Sequence, residues 1–369
     1  MSQPCCRSCH ASEGQVVLDL GMQPASDYFP AQHVPAPDPT YPLQMWLCAC
    51  CGLAQLLSDP TVPEEPRGAE PAALVEPAVD AVSKVAAAGW LQSGMGVVEY
   101  GSPHGGSWVP LLEERGLSRV PDGGRADVVL DSFGLMHEPR QDAALAHRVA
   151  RLAPRGALLL QYHSLATILR LGQWNSLRHG HYAYYSTAAV VEMLARVGFT
   201  AKLAWQFDLY GGTVLLASTR AHASDSQAGE SVRRLLDTEQ GLGVRDPQRF
   251  RDLQRSVARR ARALREWLVR QRSEGATVIG YGAASRAISL LCHARVDSRL
   301  LSAVADASQA KQGRRMPGTD IPVISPGEVV ARRPDLVLLL LPDLLREVRT
   351  GLPEIEDHGG YWVSVDDVT

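Results

Sequence analysis

Two pairs of cysteines with the spacing of zinc ligands stand in the first 51 residues. The pairs are Cys6/Cys9 and Cys48/Cys51, each with two residues between the thiols. This spacing lets both thiolates reach one ion, and four thiolates close a tetrahedron around Zn²⁺ with no position left for a substrate. We predict one structural zinc ion at these cysteines; the alternative is thiols without metal. Three neighbouring groups are potential replacement ligands: Cys5, Cys50 and His10.

Histidines and tyrosines are concentrated in one segment, residues 173–186. Imidazole titrates near neutral pH and phenol donates hydrogen bonds, so such a cluster in a loop can move protons. We predict His181 as a general base, with His179 and Tyr185 as further catalytic groups. The alternative is an aromatic loop that packs on the next helix, predicted over residues 187–197.

Glycine turns that open a helix occur at two places. In the first, Glu99, Gly101 and Gly105 end a predicted strand, as in doubly wound domains where the backbone approaches a ligand at the carboxyl end of a strand. In the second, Gly282 follows a strand in the last third of the chain, where helix amides could hold a pyrophosphate. The alternative at both places is a tight bend without a ligand.

Three further positions extend these candidate sites. Doubly wound nucleotide sites carry an acid about 20 residues past the glycines, and Asp122 stands in a Pro-Asp-Gly-Gly turn 21 residues past Gly101. Tyr210 and Gly212 interrupt an otherwise apolar strand, which predicts a close approach of the backbone to a ligand. We therefore predict Asp122 as a cofactor residue and the other two as substrate residues.

The elements that must position these residues alternate between strands and helices. Continuous apolar runs within residues 126–137 and 156–163 are typical of parallel strands covered on both faces. A second alternation of strands and helices fills the last third of the chain. We predict an α/β protein with three units: a zinc ribbon at 1–58, a doubly wound domain at 72–218 and a Rossmann-like domain at 228–369.

Composition excludes several classes of function. A net charge of −3 and an isoelectric point near 6.4 give no electrostatic footprint for nucleic acid. The arginines from Arg251 to Arg272 alternate with apolar residues, as on one solvated helix face. The sequence contains no run of 18 apolar residues, the length that would predict a membrane span. No secretory signal is recognisable. We expect a cytoplasmic protein, whose oligomeric state does not follow from its sequence.

Short strings along nearly the whole chain resemble one known family. They are Cys6-Arg-Ser-Cys9, Leu20-Gly-Met-Gln-Pro-Ala-Ser-Asp27, Tyr41-Pro-Leu43, Cys48-Ala-Cys-Cys51-Gly-Leu-Ala-Gln55, Tyr210-Gly-Gly-Thr213, Gly280-Tyr-Gly-Ala-Ala284, Lys311-Gln-Gly313 and Pro317-Gly-Thr-Asp-Ile-Pro322. Together they are similar to the zinc-containing C-methyltransferases of deoxysugar and antibiotic biosynthesis. Residues 126–161 resemble the later half of a class I methyltransferase domain that binds S-adenosylmethionine (SAM).

The resemblance implies a reaction and roles for particular residues. In that family a keto nucleotide-sugar is deprotonated beside its carbonyl, and the enolate attacks the methyl group of SAM. The loop that carries Ser132 and His137 would line SAM, and His181 matches the family's base. Arg178 replaces a tyrosine of the family pattern and, with Asp306, is predicted to contact the small-molecule substrate. Gly180 replaces the glutamate that the family pattern places next to the base as its orienting partner.

The SAM-binding half is shorter than the family pattern. Asp127 comes 26 positions after Gly101, where the family fits two strands, a helix and a ribose-binding acid. Two alternatives to methyl transfer therefore stay open. One is a member that has lost SAM and catalyses only proton transfer, as an epimerase or isomerase does. The other is a non-catalytic binding protein.

Overall fold

Three β-sheets organise the chain. The computed structural model describes residues 4–34, 37–61, 72–103, 105–222 and 227–369, with the backbone alone for 72–75. Within these ranges the sheets have four, six and five strands. Strands and helices alternate through the second and third sheets, which confirms the predicted α/β class.

The first sheet is antiparallel and follows the first cysteine pair. Its strands, in spatial order, are β1 (Gly14–Pro24), β2 (Thr40–Cys48), β3 (Ala54–Leu56) and β8 (Ala183–Tyr184). The second cysteine pair forms the turn between β2 and β3. The fourth strand comes from the middle of the chain, directly after His181, and pairs with β3 through Ala54–Tyr184 and Gln55–Ala183. The N-terminal sheet therefore includes residues of the candidate catalytic segment.

The second sheet is mostly parallel and has the order β5-β4-β6-β7-β10-β9. Its strands are β4 (Gly96–Gly101), β5 (Ser118–Arg119), β6 (Ala126–Ser132), β7 (Leu152–His163), β9 (Phe199–Phe207) and β10 (Thr213–Arg220). Its helices are α1 (Ala72–Ala87), α2 (Val109–Glu113), α3 (Gln141–Ala150), α4 (Leu165–Leu171) and α5 (Thr187–Arg196). Strand β10 runs antiparallel to both of its neighbours.

The half of this sheet around β4 is short, as the sequence predicts. Among the described residues between β4 and β6, the only strand is β5, with two residues, and the only helix is α2, with five. By contrast, β6 and β7 are buried along almost their whole length. Apolar runs covered on both faces thus become the central strands, which confirms the predicted shortened doubly wound domain.

The third sheet is parallel, with the order β13-β12-β11-β14-β15. Its strands are β11 (Val278–Tyr281), β12 (Val304–Ala305), β13 (Val323–Ile324), β14 (Leu336–Leu339) and β15 (Tyr361–Ser364). Its helices are α7 (Phe250–Ser273), α8 (Ser285–His293), α9 (Pro326–Arg332), α10 (Leu345–Gly351), α11 (Glu354–Asp357) and α12 (Val365–Val368). The preceding helix, α6 (Glu230–Leu242), packs instead on β9 and α5 of the second sheet.

Helix α7 carries the arginine-rich stretch. Its apolar residues, among them Leu253, Leu264 and Leu268, are buried on one face, while most of its arginines are exposed. This confirms a solvated helix face. In the part of the chain that the structure describes, no helix has the length and apolar character needed to cross a membrane.

The N-terminal sheet and the C-terminal domain share a hydrophobic core. Leu20 and Met45 from the sheet belong to the same buried cluster as Leu264 of α7 and Ile288 of α8. A buried ion pair between Asp38 and Arg315 joins the same two regions. The domain boundaries at 58 and 228 stay a prediction, because this core extends across them.

Asp38 and Arg315 form that ion pair. Two guanidinium nitrogens of Arg315 lie 2.6 and 2.7 Å from the two carboxylate oxygens, and both side chains are buried. Although burial opposes ionisation, the Arg315 bonds and the Gly318 amide lower the pKa of the Asp38 carboxyl. The pair therefore fixes the C-terminal domain against the segment between β1 and β2.

Candidate active site

A cavity of about 400 Å³ lies where the three sheets meet. The carboxyl ends of β6 and β7 contribute Ser132 and His163, the loop before β8 contributes His181, and the amino end of α8 contributes Arg286. Phe29 closes the side formed by the N-terminal segment. Ligands of open parallel sheets bind at this carboxyl edge, so the cavity is the candidate active site.

The structure brings together about half of the residues that the sequence predicts for the site. The residues that line the cavity are Gly105, Ser132, His137, Arg178, His181, Tyr210, Gly282 and Asp306. The predicted residues that lie outside its lining are Glu99, Gly101, Asp122, His179, Tyr185 and Gly212.

Both acids predicted to bind a cofactor are placed elsewhere. The Glu99 carboxylate accepts hydrogen bonds from the Ser107 hydroxyl at 2.5 Å and the Trp108 amide at 2.7 Å, and so closes the turn before α2. Asp122 is exposed in the turn after β5. Because β5 has only two residues, that turn does not reach the cavity.

The predicted glycines Gly101 and Gly212 also lack a ligand-facing role. Gly101 pairs with Ser132 inside the sheet. A Cβ at Gly212 would lie 2.5 Å from the Thr167 hydroxyl. The close backbone approach at Gly212 is therefore to α4 and not to a ligand.

His179 and Tyr185 are buried outside the cavity. His179 is 2% exposed, with its Nε2 3.4 Å from the Pro42 carbonyl oxygen, and burial lowers the pKa of its imidazole. The Tyr185 hydroxyl donates to Gln141, and burial raises the pKa of this phenol. The structure thus places both residues outside the cavity for which they were predicted, and Tyr184 is the tyrosine of this segment that lines it.

His181 lines the cavity in contact with a cation. The Arg178 Nε donates to His181 Nε2 at 2.8 Å, and a second nitrogen of the same guanidinium also contacts Nε2. Arg178 Nη1 donates to the Ser285 hydroxyl at the start of α8. Because a guanidinium can only donate, His181 Nε2 is an acceptor and this imidazole is neutral, with its proton on Nδ1.

His137 stands beside His181. The two imidazole centroids are 4.6 Å apart in an edge-to-face arrangement, and His137 Nδ1 lies 3.0 Å from the Gly180 carbonyl oxygen. Since a carbonyl oxygen only accepts, His137 carries a proton on Nδ1. Gly180 has φ +81°, so the glutamate of the family pattern would be strained here.

A buried ion pair supports the turn that carries His137. Asp131, at the end of β6, accepts from the Leu135 amide at 2.9 Å and from the Arg148 guanidinium. Both charged side chains are almost fully buried. Burial raises the pKa of the Asp131 carboxyl, and the charge of Arg148 opposes that shift. Asp131 thus holds the loop in shape from behind and does not line the cavity.

Several residues of the cavity were not predicted from the sequence. His163 ends β7, and the Arg286 guanidinium lies 4.6 Å from the ring centroid of Tyr210. Lys311 lies 3.7 Å from Asp306. A polar residue at the carboxyl end of an apolar strand was the available signal for His163, because parallel strands present their ends to ligands.

Tyr210 adopts a backbone conformation that is unusual for a side chain of its size. Its φ is +57°, and its ring packs 6.0 Å from that of Phe133, which itself has φ +63°. Non-glycine residues in this region store strain and are concentrated at functional sites. The two aromatic residues face the cavity, which supports its assignment as the site.

The imidazole of His163 makes the stability of the fold sensitive to acid. Burial, and then the nearby charge of Arg286, lower the pKa of His163 to about 3, against ~6.5 in an unfolded chain. Between these values the unfolded state binds one more proton, so stability falls as the pH drops, by at most ~1.4 kcal/mol per pH unit. Urea titrations at pH 7 and pH 5 measure the free energy of unfolding at each pH. The decrease from pH 7 to pH 5 is expected to be smaller in His163→Gln than in wild type.

The matched control for that experiment is His358→Gln, because His358 is exposed. It should follow the wild-type pH dependence. A His163→Gln protein with the wild-type difference between pH 7 and pH 5 would contradict the assignment.

The four predicted zinc ligands come together at the base of the N-terminal sheet. Their sulfurs all lie within 4.8 Å of one another, with Cys6–Cys51 at 3.5 Å and Cys9–Cys48 at 3.6 Å. Four sulfurs at ~2.3 Å from one Zn²⁺ would stand ~3.8 Å apart in a tetrahedron. The set fits zinc, and the structure brings the four predicted ligands together in a cluster that could hold a metal ion. His10 contacts Asp142 at 2.9 Å and takes no part.

Comparison with known families agrees with this architecture. Residues 6–65 match the family model described as "Putative zinc binding domain", and residues 208–365 match the model described as "C-methyltransferase C-terminal domain". The chain therefore carries a region similar to a C-methyltransferase C-terminal domain together with a region similar to a zinc-binding domain. These two matched regions contain the C-terminal sheet and the cysteine cluster, respectively.

One relative that the chain resembles is C-methyltransferase NovU of Streptomyces niveus. The two share 25% identity over 266 residues, which is 69% of this chain and 63% of the length of NovU. Solved structures with partial similarity include magnesium protoporphyrin IX methyltransferase of Synechocystis PCC 6803, at 18% identity over 40% of this chain and 84% of that chain, with a TM-score of 0.30. Mycolic acid cyclopropane synthase CmaA1 shares 13% identity over 38% of this chain and 84% of that chain, also with a TM-score of 0.30.

Proposed function

We propose that this protein transfers a methyl group from SAM to the carbon beside the ketone of a nucleotide-linked sugar. The observation that carries the proposal is the composition of the cavity, where a neutral histidine, His181, stands among the cations Arg178, Arg286 and Lys311. A base and a cationic pocket together suit an anionic substrate with a weakly acidic C–H bond.

His181 is the group that removes the proton. A C–H bond next to a ketone is weakly acidic, so its ionisation needs a base near neutral pH and a donor for the enolate oxygen. Nε2 is the basic atom of this imidazole, and it becomes available when Arg178 shifts toward the substrate. Arg178 then supplies hydrogen-bond donors to the enolate oxygen or to a phosphate.

The diphosphate of the substrate is held by the amino end of α8. Arg286 and Ser285 lie in its first turn, and Lys311 closes the same side of the cavity by donating to the Ala283 carbonyl at 2.9 Å. Gly282, with φ +95°, lets the backbone turn sharply into this helix. Helix amides and cationic side chains are the usual partners of phosphate oxygens.

SAM is held at the end of β6. When bound, it supplies an electrophilic methyl group. The Ser132 hydroxyl is buried without a partner among the described residues, which fits a polar ligand at this position. Gly105 lines the same wall. No carboxylate in the described parts of β4, β5 and their turns faces the cavity, so we expect weak SAM affinity.

A second candidate function is proton transfer alone, as in an epimerase. The displaced acids Glu99 and Asp122 favour it, because a reaction without SAM needs no ribose-binding acid. In this reaction His181 removes the proton beside the ketone, and a proton returns to the same carbon. The two candidate functions share a substrate class and a base, and differ in whether a new C–C bond is formed.

Calorimetry and NMR together test the proposal. A 4-keto sugar nucleotide is incubated with the protein in D₂O, with and without SAM; methyl transfer predicts a product heavier by one methyl group only when SAM is present. Deuterium at the carbon beside the ketone, without any methylated product, would instead establish proton transfer alone. Neither product, with no heat of SAM binding, would overturn both candidates.

The phosphate assignment is tested by Arg286→Met. Loss of a charged hydrogen-bond donor is expected to weaken binding of a nucleoside diphosphate by about 10- to 100-fold. Arg259→Met, on the exposed face of α7, is the control and should bind as wild type does. Unchanged affinity in a folded Arg286→Met protein would move the diphosphate elsewhere.

A further inference from the structure

We propose that Asp59, at the end of the N-terminal segment, is a positioning residue for His181. The inference rests on the proposed function in taking His181 as the base. Asp59 does not line the cavity and touches no reacting atom. It acts on the turn immediately before His181, at Gly180.

The carboxylate of Asp59 is held by hydrogen bonds on both oxygens. Oδ2 accepts from the Gly180 amide at 2.6 Å. Oδ1 accepts from the amide of Thr61 at 3.0 Å and from its hydroxyl at 2.6 Å. Thr61 therefore fixes the orientation of the carboxylate, and the short bond to Gly180 is charge-assisted.

The Gly180 residue is held from its other end as well. Its carbonyl oxygen is the acceptor for His137 Nδ1 at 3.0 Å. Asp59 on the amide and His137 on the carbonyl thus fix both peptide groups of a glycine whose φ is +81°. A left-handed glycine is conformationally permissive, so without these partners the turn has little to define it.

The residue after His181 is fixed to the same N-terminal segment. The Leu56 amide donates to the Tyr182 carbonyl at 3.2 Å, and the guanidinium of Arg7 lies 4.9 Å from the Tyr182 ring centroid. The residues on both sides of His181 are therefore attached to the domain that carries the cysteine cluster. That domain therefore determines the position and orientation of the His181 imidazole in the cavity.

The role of Asp59 replaces what the family pattern assigns to a side chain. Where that pattern has a glutamate next to the base, this chain has Gly180, which offers only its backbone. A carboxylate from a distant part of the chain, Asp59, contacts that backbone instead. In this chain, therefore, a contact with the main chain orients the base. In the family pattern a neighbouring carboxylate would do so.

Two variants separate the acceptor oxygen of Asp59 from its charge. Asp59→Ala removes both, and Asp59→Asn keeps an oxygen that can accept from the Gly180 amide. Amide exchange by NMR is expected to accelerate about 10- to 100-fold at Gly180 in the alanine variant, the loss that removal of one charge-assisted bond implies. In Asp59→Asn most of the protection should remain.

The same variants are expected to change kcat without a comparable change in KM. A misplaced base lowers the rate of the chemical step by up to ~10²-fold, whereas substrate binding depends on Arg286 and Lys311. We therefore expect a lower kcat with KM nearly unchanged in Asp59→Ala, and recovery of most of kcat in Asp59→Asn. Asp237→Ala, an exposed aspartate on α6, is the matched control.

Two results would overturn the inference. One is wild-type exchange at the Gly180 amide in Asp59→Ala. The other is accelerated exchange with an unchanged rate of deuterium incorporation into the keto sugar, because His181 would then be positioned without Asp59. Wild-type protein that incorporates deuterium without methyl transfer would defeat the proposed methyltransferase alone, since these measurements do not require SAM.

Discussion

Cys51→Ser protein is expected to lose its zinc ion and, with it, the packing of the N-terminal sheet. Strand β2 ends at Cys48 and β3 begins at Ala54, so the second cysteine pair forms the turn that holds the two strands together. Structural zinc sites contribute ~10–16 kcal/mol of apparent binding free energy, comparable with the ~5–15 kcal/mol that stabilises a whole domain. Elemental analysis should find one zinc per wild-type chain and much less in the variant.

The adjacent Cys50 supplies a matched control. It is exposed and lies outside the four-sulfur cluster, so Cys50→Ser should retain one zinc and the wild-type amide protection of β1–β3. Wild-type protein without stoichiometric zinc would refute the metal site. A Cys51→Ser protein with full zinc and native protection would show that the other groups suffice to hold the ion.

His181→Ala protein is expected to incorporate deuterium into the bound keto sugar ~10²- to 10⁴-fold more slowly than wild type, the usual contribution of a general base. Affinity for the sugar nucleotide should persist, because Arg286 and Lys311 remain. The measurement is NMR of the substrate in D₂O, with binding followed separately by calorimetry. The exchange assay isolates proton removal from any later methyl transfer.

His358→Ala, which removes an exposed histidine, is the control for loss of an imidazole in general. It should exchange at the wild-type rate. If His181→Ala also exchanges at that rate, His181 has a packing role. The second imidazole of the cavity, His137, would then be the next residue to test.

The parts of this fold that sequence reasoning recovers are those with strong local constraints. Two residues between thiols leave few options other than a shared ion, and the pairs Cys6/Cys9 and Cys48/Cys51 do meet in one cluster. Apolar runs without alternation predict strands covered on both faces, as β6 and β7 are. Each pattern depends on neighbours in sequence, which is why it can be read without a structure.

The direction of side chains in the catalytic segment could not be predicted in the same way. His179 and His181 stand two residues apart, yet one packs on Pro42 and the other lines the cavity. Likewise, Tyr184 lines the cavity, whereas Tyr185 is buried outside it. What decides these directions is the pairing of β8 with β3, a contact between distant parts of the chain. No local periodicity encodes such a contact.

Contacts made by backbone atoms are equally invisible in a sequence. Asp59 stands three residues after β3, outside any helix or strand, yet its carboxylate accepts a hydrogen bond from the Gly180 amide. Similarly, the acid expected at the end of β5 depends on a strand long enough to reach the crevice, and Asp122 falls short because that strand has two residues. Spacing along the chain predicts an acid, but only strand length places it.

The pairing of β3 with β8 also determines how this chain can be divided. A fragment that ends at Thr61 would leave β3 without β8, with backbone N–H and C=O groups unpaired along one side. A fragment that begins with α1 would leave β8 equally exposed. Unpaired strand edges act as templates for association with other chains. Neither fragment is therefore a suitable unit for expression alone.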